Sequence, residues 1–289
     1  MAQGILVKGY SGFYYVNIEG QEVECSLRGK FRRKKQSFIP GDFVRVSLIE
    51  PGKGVIEEVL PRKNELIRPT VANVDQVVIV MALKEPEPQL DLLDRILVLA
   101  ESLELKAVIC FNKLDKISEA PSLIETYTKI GYVAIATSAK TKENIAKLVS
   151  LLNGQVSVFA GLSGVGKSSL LNAIQPNLSL KVGNVSDKIK RGKHTTRHVE
   201  LITLPTGGMV ADTPGFSNLS LESLSPNILP YCFPEIEQVQ DKCRFNQCLH
   251  HKEPDCAVKL AVEAGEIAES RYHNYLNFLS ESVNAERRY

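Results

Sequence analysis

Residues 161–169 read GLSGVGKSS, and no other stretch of the 289 residues limits the fold as much. The pattern is Gly161, four residues, then Gly166-Lys167-Ser168. An apolar run, Val156-Ser157-Val158-Phe159-Ala160, leads in, and a helix-like run from Ser168 to Ile174 leads out until Pro176. Strand, Gly-rich turn and helix in that order aim backbone N–H groups and the positive end of a helix at phosphate. Gly161, Leu162, Ser163, Gly164, Val165 and Gly166 would wrap the phosphates, the glycines letting the chain approach without a Cβ. Lys167 is placed for the β- and γ-phosphates, and Ser168, with Ser169 beside it, for Mg2+. Such a turn needs a buried strand before it and a helix after it. That predicts an α/β domain with a parallel sheet.

Two further segments belong to the same chemistry. Ala211-Asp212-Thr213-Pro214-Gly215 follows the apolar Met209-Val210, which the Pro205-Thr206-Gly207-Gly208 turn pairs with Val199–Leu204. Asp212 suits a water-mediated Mg2+ contact, and the Gly215 N–H suits the γ-phosphate. Between them, Arg191-Gly192-Lys193-His194-Thr195-Thr196-Arg197 offers Thr195 and Thr196 for the Mg2+ shell, with Thr196 favoured. His194 is a candidate for orienting the attacking water, because Phe216 stands where many GTPases have the glutamine that does so.

Nothing after residue 169 reads a base. The base motif lies upstream, as Asn112-Lys113-Leu114-Asp115 at the end of the apolar run Ala107–Phe111. Asp115 can accept from guanine N1–H and its 2-amino group together. Adenine offers neither donor, which disfavours an ATPase. Asn112 would support the base edge and the Lys113 stem would pack on the ring. Thr137-Ser138-Ala139-Lys140 follows Tyr132–Ala136 about 25 residues on, with the N–H near Ala139 set for guanine O6. An ordinary small GTPase runs from phosphate loop to base motifs, so this order is a circular permutation. Ile145, Leu148, Val149 and Leu152 mark the helix at the joint, which Asn153-Gly154 ends.

The flanks differ in character. Residues 1–67 hold five short strand-like runs separated by Gly and Pro-Gly turns, which predict a small RNA-binding barrel of OB type, with an SH3-like barrel as the alternative. Arg28, Lys30, Arg32, Arg33, Lys34 and Lys35 put six cations in eight residues of one loop, suited to a phosphate backbone. Residues 68–220 carry the GTPase pattern. Residues 221–289 turn helical, with Tyr272, Tyr275, Leu276 and Leu279 on one face, read as core. The longest apolar run, Val77–Leu83, is too short to cross a bilayer, and the N-terminus lacks a basic segment followed by an apolar core. A cytoplasmic monomer with no membrane or DNA partner is the expectation.

Cys243, Cys248, His250 or His251, and Cys256 offer a Cys3His ligand set suited to one closed, structural Zn2+. Cys110 and Cys232 sit in apolar surroundings and read as core.

With NKLD, TSAK, GLSGVGKSS, GKHTTRH and DTPGF in this order, the chain resembles the RsgA family of circularly permuted, small-ribosomal-subunit-dependent GTPases. The resemblance spans barrel, permuted GTPase and zinc-binding helical region, and the family's pattern matches His250 as the fourth zinc ligand. It implies a GTP hydrolase that binds the small ribosomal subunit and its rRNA, acts late in subunit maturation, and is stimulated by the subunit. The alternative is an RNA-binding switch protein that uses GTP with little turnover.

Overall fold

The computed structural model describes residues 1–10, 12–29, 31, 37–67, 69–119, 122–176, 199–211, 221 and 224–287. Of the sequence expectations, Lys30, Arg32, Arg33, Lys34, Lys35, His194, Thr195, Thr196, Asp212, Gly215 and Phe216 lie outside the described residues.

Strands β1 (Ala2–Tyr10), β2 (Phe13–Ile18), β3 (Gln21–Leu27), β4 (Phe43–Glu50) and β5 (Lys53–Val59) close into a barrel in the order β1-β2-β3-β5-β4. The β3–β5 pair is parallel and the other pairs are antiparallel. That connectivity is the five-stranded Greek key of the OB type, and it decides against the SH3-like alternative. Leu6, Val16, Val23, Cys25, Val44, Val46 and Ile56 fill the interior. A hairpin, β6 (Glu65–Ile67) and β7 (Thr70–Ala72), links the barrel to the next unit. Sequence patterning missed it, since three-residue strands carry no period.

A six-stranded sheet follows. In chain order its elements are β8 (Gln76–Ala82), α1 (Leu90–Ser102), β9 (Lys106–Asn112), α2 (Ser122–Ile130), β10 (Val133–Ala136), α3 (Ile145–Leu152), β11 (Val156–Ala160), α4 (Lys167–Ile174), β12 (Leu201–Thr203) and β13 (Met209–Ala211). The spatial order is β10-β9-β8-β11-β13-β12, all parallel except β12. All seven residues of β8 are buried because both sheet faces are covered. Val77, Ile79 and Met81 enter the core beneath α1 and α2, while Val78, Val80 and Ala82 enter the one beneath α3 and α4. This is the period of two expected of a strand. The permutation joint runs directly from α3 into the central strand β11. Gln76 secures it, with Nε2 donating to Leu151 O at 2.8 Å and Ser157 Oγ at 2.9 Å. The barrel meets the β12 edge through Lys8 Nζ, 3.2 Å from Glu200 Oε1, and Asn17 Nδ2, which donates to Thr203 Oγ1 at 3.2 Å.

The C-terminal region comprises α5 (Pro234–Gln240), α6 (Ala257–Glu263) and α7 (Glu269–Glu286). It shares a core with the outer face of α1, where Val98 belongs to one buried cluster with Phe233, Ile236, Tyr275 and Phe278. Arg271, 1% exposed, lies at the centre of this contact. Its guanidinium stands 2.7 Å from Asp94 Oδ1 and 2.7 Å from Glu235 Oε1. Tyr127 Oη and Asn274 Nδ2 also donate to Asp94, so one buried carboxylate joins α1, α2 and α7.

Candidate nucleotide site and metal cluster

The base motifs and the phosphate loop all leave the carboxyl ends of parallel strands, β9, β10 and β11, where α/β sheets collect their ligands. Asn112 ends β9 and is buried. Its Nδ2 donates to Val165 O at 2.9 Å, and its Oδ1 accepts from Ala139 N at 3.2 Å. One side chain therefore joins three motifs that stand apart in the chain. The sequence reading gave Asn112 the base edge and missed this bridge, which no local signal announces.

The glycines hold the loop close to its neighbours. Gly161 and Gly166 have φ of 129° and 100°, values open to glycine and rare for other residues. A Cβ on Gly161 would stand 2.2 Å from Val80 O, and one on Gly166 2.2 Å from Asn112 Nδ2. Helix α4 begins at Lys167, so its positive end faces the loop. Lys167 Nζ donates to the carbonyls of Gly161 and Leu162, each at 2.7 Å, which keeps the ammonium over the loop.

The base motifs are locked to each other. Leu114 N donates to Thr137 O at 3.0 Å, and Thr137 N to Phe111 O at 2.7 Å. Asp115 is exposed, with Oδ1 accepting from Ser138 Oγ at 2.6 Å. Ser138 Oγ in turn accepts from Thr141 N at 3.1 Å. The carboxylate is thus oriented and still open to a ligand with two donors. Lys113 takes a left-handed φ of 68°, and its Nζ donates to Glu85 O, while Lys116 pairs with the Glu85 carboxylate. This support from Glu85 was not visible in the sequence. Cys110 lies behind the motif against Thr137, where burial pushes its thiol up to about 12, consistent with a packing role. The cradle that a Cβ would fill and the open, oriented carboxylate together fit a guanine nucleotide. Of the expected Mg2+ contacts, Ser168 at the start of α4 is the one among the described residues.

Cys243, Cys248, His250 and Cys256 come together with all four candidate ligand atoms within 4.8 Å of one another. The sulfur–sulfur distances Cys243–Cys256 and Cys248–Cys256 are both 3.9 Å. His250 Nδ1 is 3.6 Å from Cys243 Sγ and 3.5 Å from Cys256 Sγ. Zn–S bonds of about 2.3 Å and a Zn–N bond of about 2.0–2.1 Å in a tetrahedron imply edges of about 3.8 Å and about 3.6 Å. The cluster therefore has the dimensions of a zinc cage. Burial lowers the pKa of His250, leaving the imidazole neutral with a lone pair to offer. Burial also raises the Cys248 thiol to about 12 and raises Cys256, and a bound dication would favour their thiolates. The two histidines that spacing left open are separated: His250 is 1% exposed within the cluster, and His251 is exposed outside it.

The sequence matches two family models, RsgA N-terminal domain over residues 3–56 and RsgA GTPase over residues 59–222. It is 53% identical to the small ribosomal subunit biogenesis GTPase RsgA of Moorella thermoacetica, covering 99% of each chain. Against the protein of that name from Alkaliphilus metalliredigens it is 47% identical, covering 100% of each. Among solved structures, YjeQ from Thermotoga maritima superposes with a TM-score of 0.85 at 44% identity, covering 98% of each chain. YloQ, described as a circularly permuted GTPase, superposes with a TM-score of 0.84 at 40% identity, covering 98% of this chain and 96% of its own.

Proposed function

This chain belongs to the RsgA GTPase family, and from that membership we propose that it hydrolyses GTP on the small ribosomal subunit, assists that subunit's late maturation, and is stimulated by it. The observation that carries the reading is the Asn112 bridge. It assembles base motifs and phosphate loop, permuted in the chain, into one guanine nucleotide cleft.

In this cleft Asp115 accepts from the two guanine donors while Ser138 steadies it, and Lys113 lies along the ring. A backbone N–H near Ala139 serves guanine O6, the Ala139 N–H itself being held by Asn112 Oδ1. Gly161 to Ser169 hold the phosphates, with Lys167 moving from the loop carbonyls to the β- and γ-phosphates. Bound Mg2+ would neutralise developing phosphate charge, with Ser168, Thr196 and Asp212 to hold it. Gly215 contacts the γ-phosphate and His194 orients water.

We assign residues 1–67 to rRNA binding through the barrel and its basic loop, 68–220 to GTP, and 221–289 to a helical unit holding one structural zinc on Cys243, Cys248, His250 and Cys256. No described helix is long and apolar enough to cross a membrane. We propose a cytoplasmic monomer, the compartment following from the proposed action on the small ribosomal subunit. The second reading, an RNA-binding switch with little turnover, is favoured by Phe216 at the position of the water-orienting glutamine. GTP turnover with and without purified small subunits separates the two. Stimulation that is lost in His194→Ala, with GTP affinity kept, supports the enzyme. Parent turnover that the subunit leaves unchanged supports the switch.

A further inference from the structure

We propose that Glu253, Tyr272 and Tyr275 form a clamp on the backbone around His250, and that this clamp selects His250 as the histidine ligand and sets the affinity of the metal site. The inference rests on the zinc reading above. It comes from the hydrogen bonds of three consecutive residues. Glu253 Oε1 accepts from Leu249 N at 3.0 Å, and Glu253 Oε2 accepts from His251 N at 2.9 Å. From the other side, Tyr275 Oη donates to Leu249 O at 2.8 Å and Tyr272 Oη to His250 O at 2.6 Å. The peptide groups before and after His250 are thus gripped by side chains from two directions.

The grip has a purpose in geometry. His250 has a left-handed φ of 55°, uncommon for a residue with a Cβ, although histidine is among the residues that take it most readily. In that conformation its ring enters the cluster and turns Nδ1 toward two thiols, while the ring of its neighbour stays outside. Gln247 and Asp255, at φ of 61° and 53°, show that the whole loop is wound to bring its ligands together. Tyr272 and Tyr275 stand three apart on α7, so they share a face, with rings stacked at 6.3 Å. Their hydroxyls reach two successive carbonyls. Tyr275 is also core, as the sequence reading held, but its hydroxyl reaches the metal loop. Holding the ligand's backbone in place before the metal arrives removes the cost of ordering it on binding. All three are positioning residues, because none contacts the metal.

The test measures zinc affinity of the full chain by competition with a chromophoric chelator, with Co2+ absorption reporting the ligand set. The parent should bind one equivalent and show the thiolate charge-transfer and tetrahedral d–d bands of Co2+. In Glu253→Gln one acceptor becomes a donor facing an N–H, and zinc should bind about 10- to 100-fold more weakly with broadened Co2+ bands. Tyr272→Phe/Tyr275→Phe keeps the rings and removes only the hydroxyls. It should weaken zinc about tenfold. His251→Ala should bind zinc like the parent. A parent that binds no zinc refutes the metal reading itself. A parent that binds, beside a Glu253→Gln variant within threefold of it, overturns the clamp alone. If Glu253→Gln fails to fold, judged by circular dichroism and urea unfolding, the double Phe variant decides, and an affinity within threefold of the parent overturns the clamp. Loss of zinc in His251→Ala overturns the selection of His250.

Discussion

Replacing Gly166 by alanine tests whether the base-reading and phosphate-holding halves of the cleft are held together by one side chain. The new Cβ would lie 2.2 Å from Asn112 Nδ2, well inside contact distance. Asn112 is 1% exposed and has no room to yield without giving up its bonds to Val165 O and Ala139 N. Two hydrogen bonds at about 1 kcal/mol each, plus part of the penalty for leaving buried groups unpaired, come to about 2–3 kcal/mol. If that free energy is what keeps the two halves in register, GDP should bind about 30- to 150-fold more weakly. The φ of 100° adds about 1 kcal/mol or more of backbone strain. That strain is present with and without nucleotide, so it should appear in unfolding and not in affinity. Gly207→Ala is the control, because its φ is 90° and no atom stands within 4 Å of its Cβ. It should lower stability and leave affinity alone. Titration with a fluorescent GDP analogue, paired with urea unfolding, reads both quantities. A folded Gly166→Ala protein that binds GDP within threefold of the parent refutes the reasoning.

Asp115→Asn should weaken GTP and GDP and relax specificity toward xanthine nucleotides, whose 2-oxo group needs a donor. Equal GDP affinity in parent and variant, by the same titration, would contradict the assignment. Chelating zinc should increase amide exchange across residues 243–256 and leave GDP affinity within about twofold, because structural zinc acts through folding and its ligands lie outside the nucleotide motifs. Abolition of GDP binding on chelation would show that the two regions fold as one. Arg271→Ala leaves the Asp94 and Glu235 carboxylates facing each other in a closed core, and should cost about 3–5 kcal/mol in urea unfolding. A loss below about 1 kcal/mol would mean that water reaches the site.

Amino-acid order alone settled what was local. The phosphate loop, the two base tetrapeptides and the cysteine spacing are short-range patterns, and each chemistry demands particular residues at fixed offsets. Strand β8 was legible because a strand covered on both faces is apolar throughout, and the permutation because it is a matter of order. Even the joint could be read, since Ile145, Leu148 and Leu152 follow a helical period up to Asn153-Gly154. The tertiary structure decided what depends on groups distant in the chain. The SH3-like alternative fell to the parallel pairing of β3 with β5, which no strand carries in its own composition. Asn112 became a bridge because the fold brings Val165, 53 residues on, within 2.9 Å of it. His250 was separated from His251 by which ring the loop turns inward. Adjacent histidines offer the same ligand atoms, and only the backbone conformation held by Glu253 and the α7 hydroxyls distinguishes them. The Asp94–Arg271–Glu235 contact left no trace in the sequence either. A charged residue on a helix reads as solvent-facing until the fold supplies the partners that let it be buried.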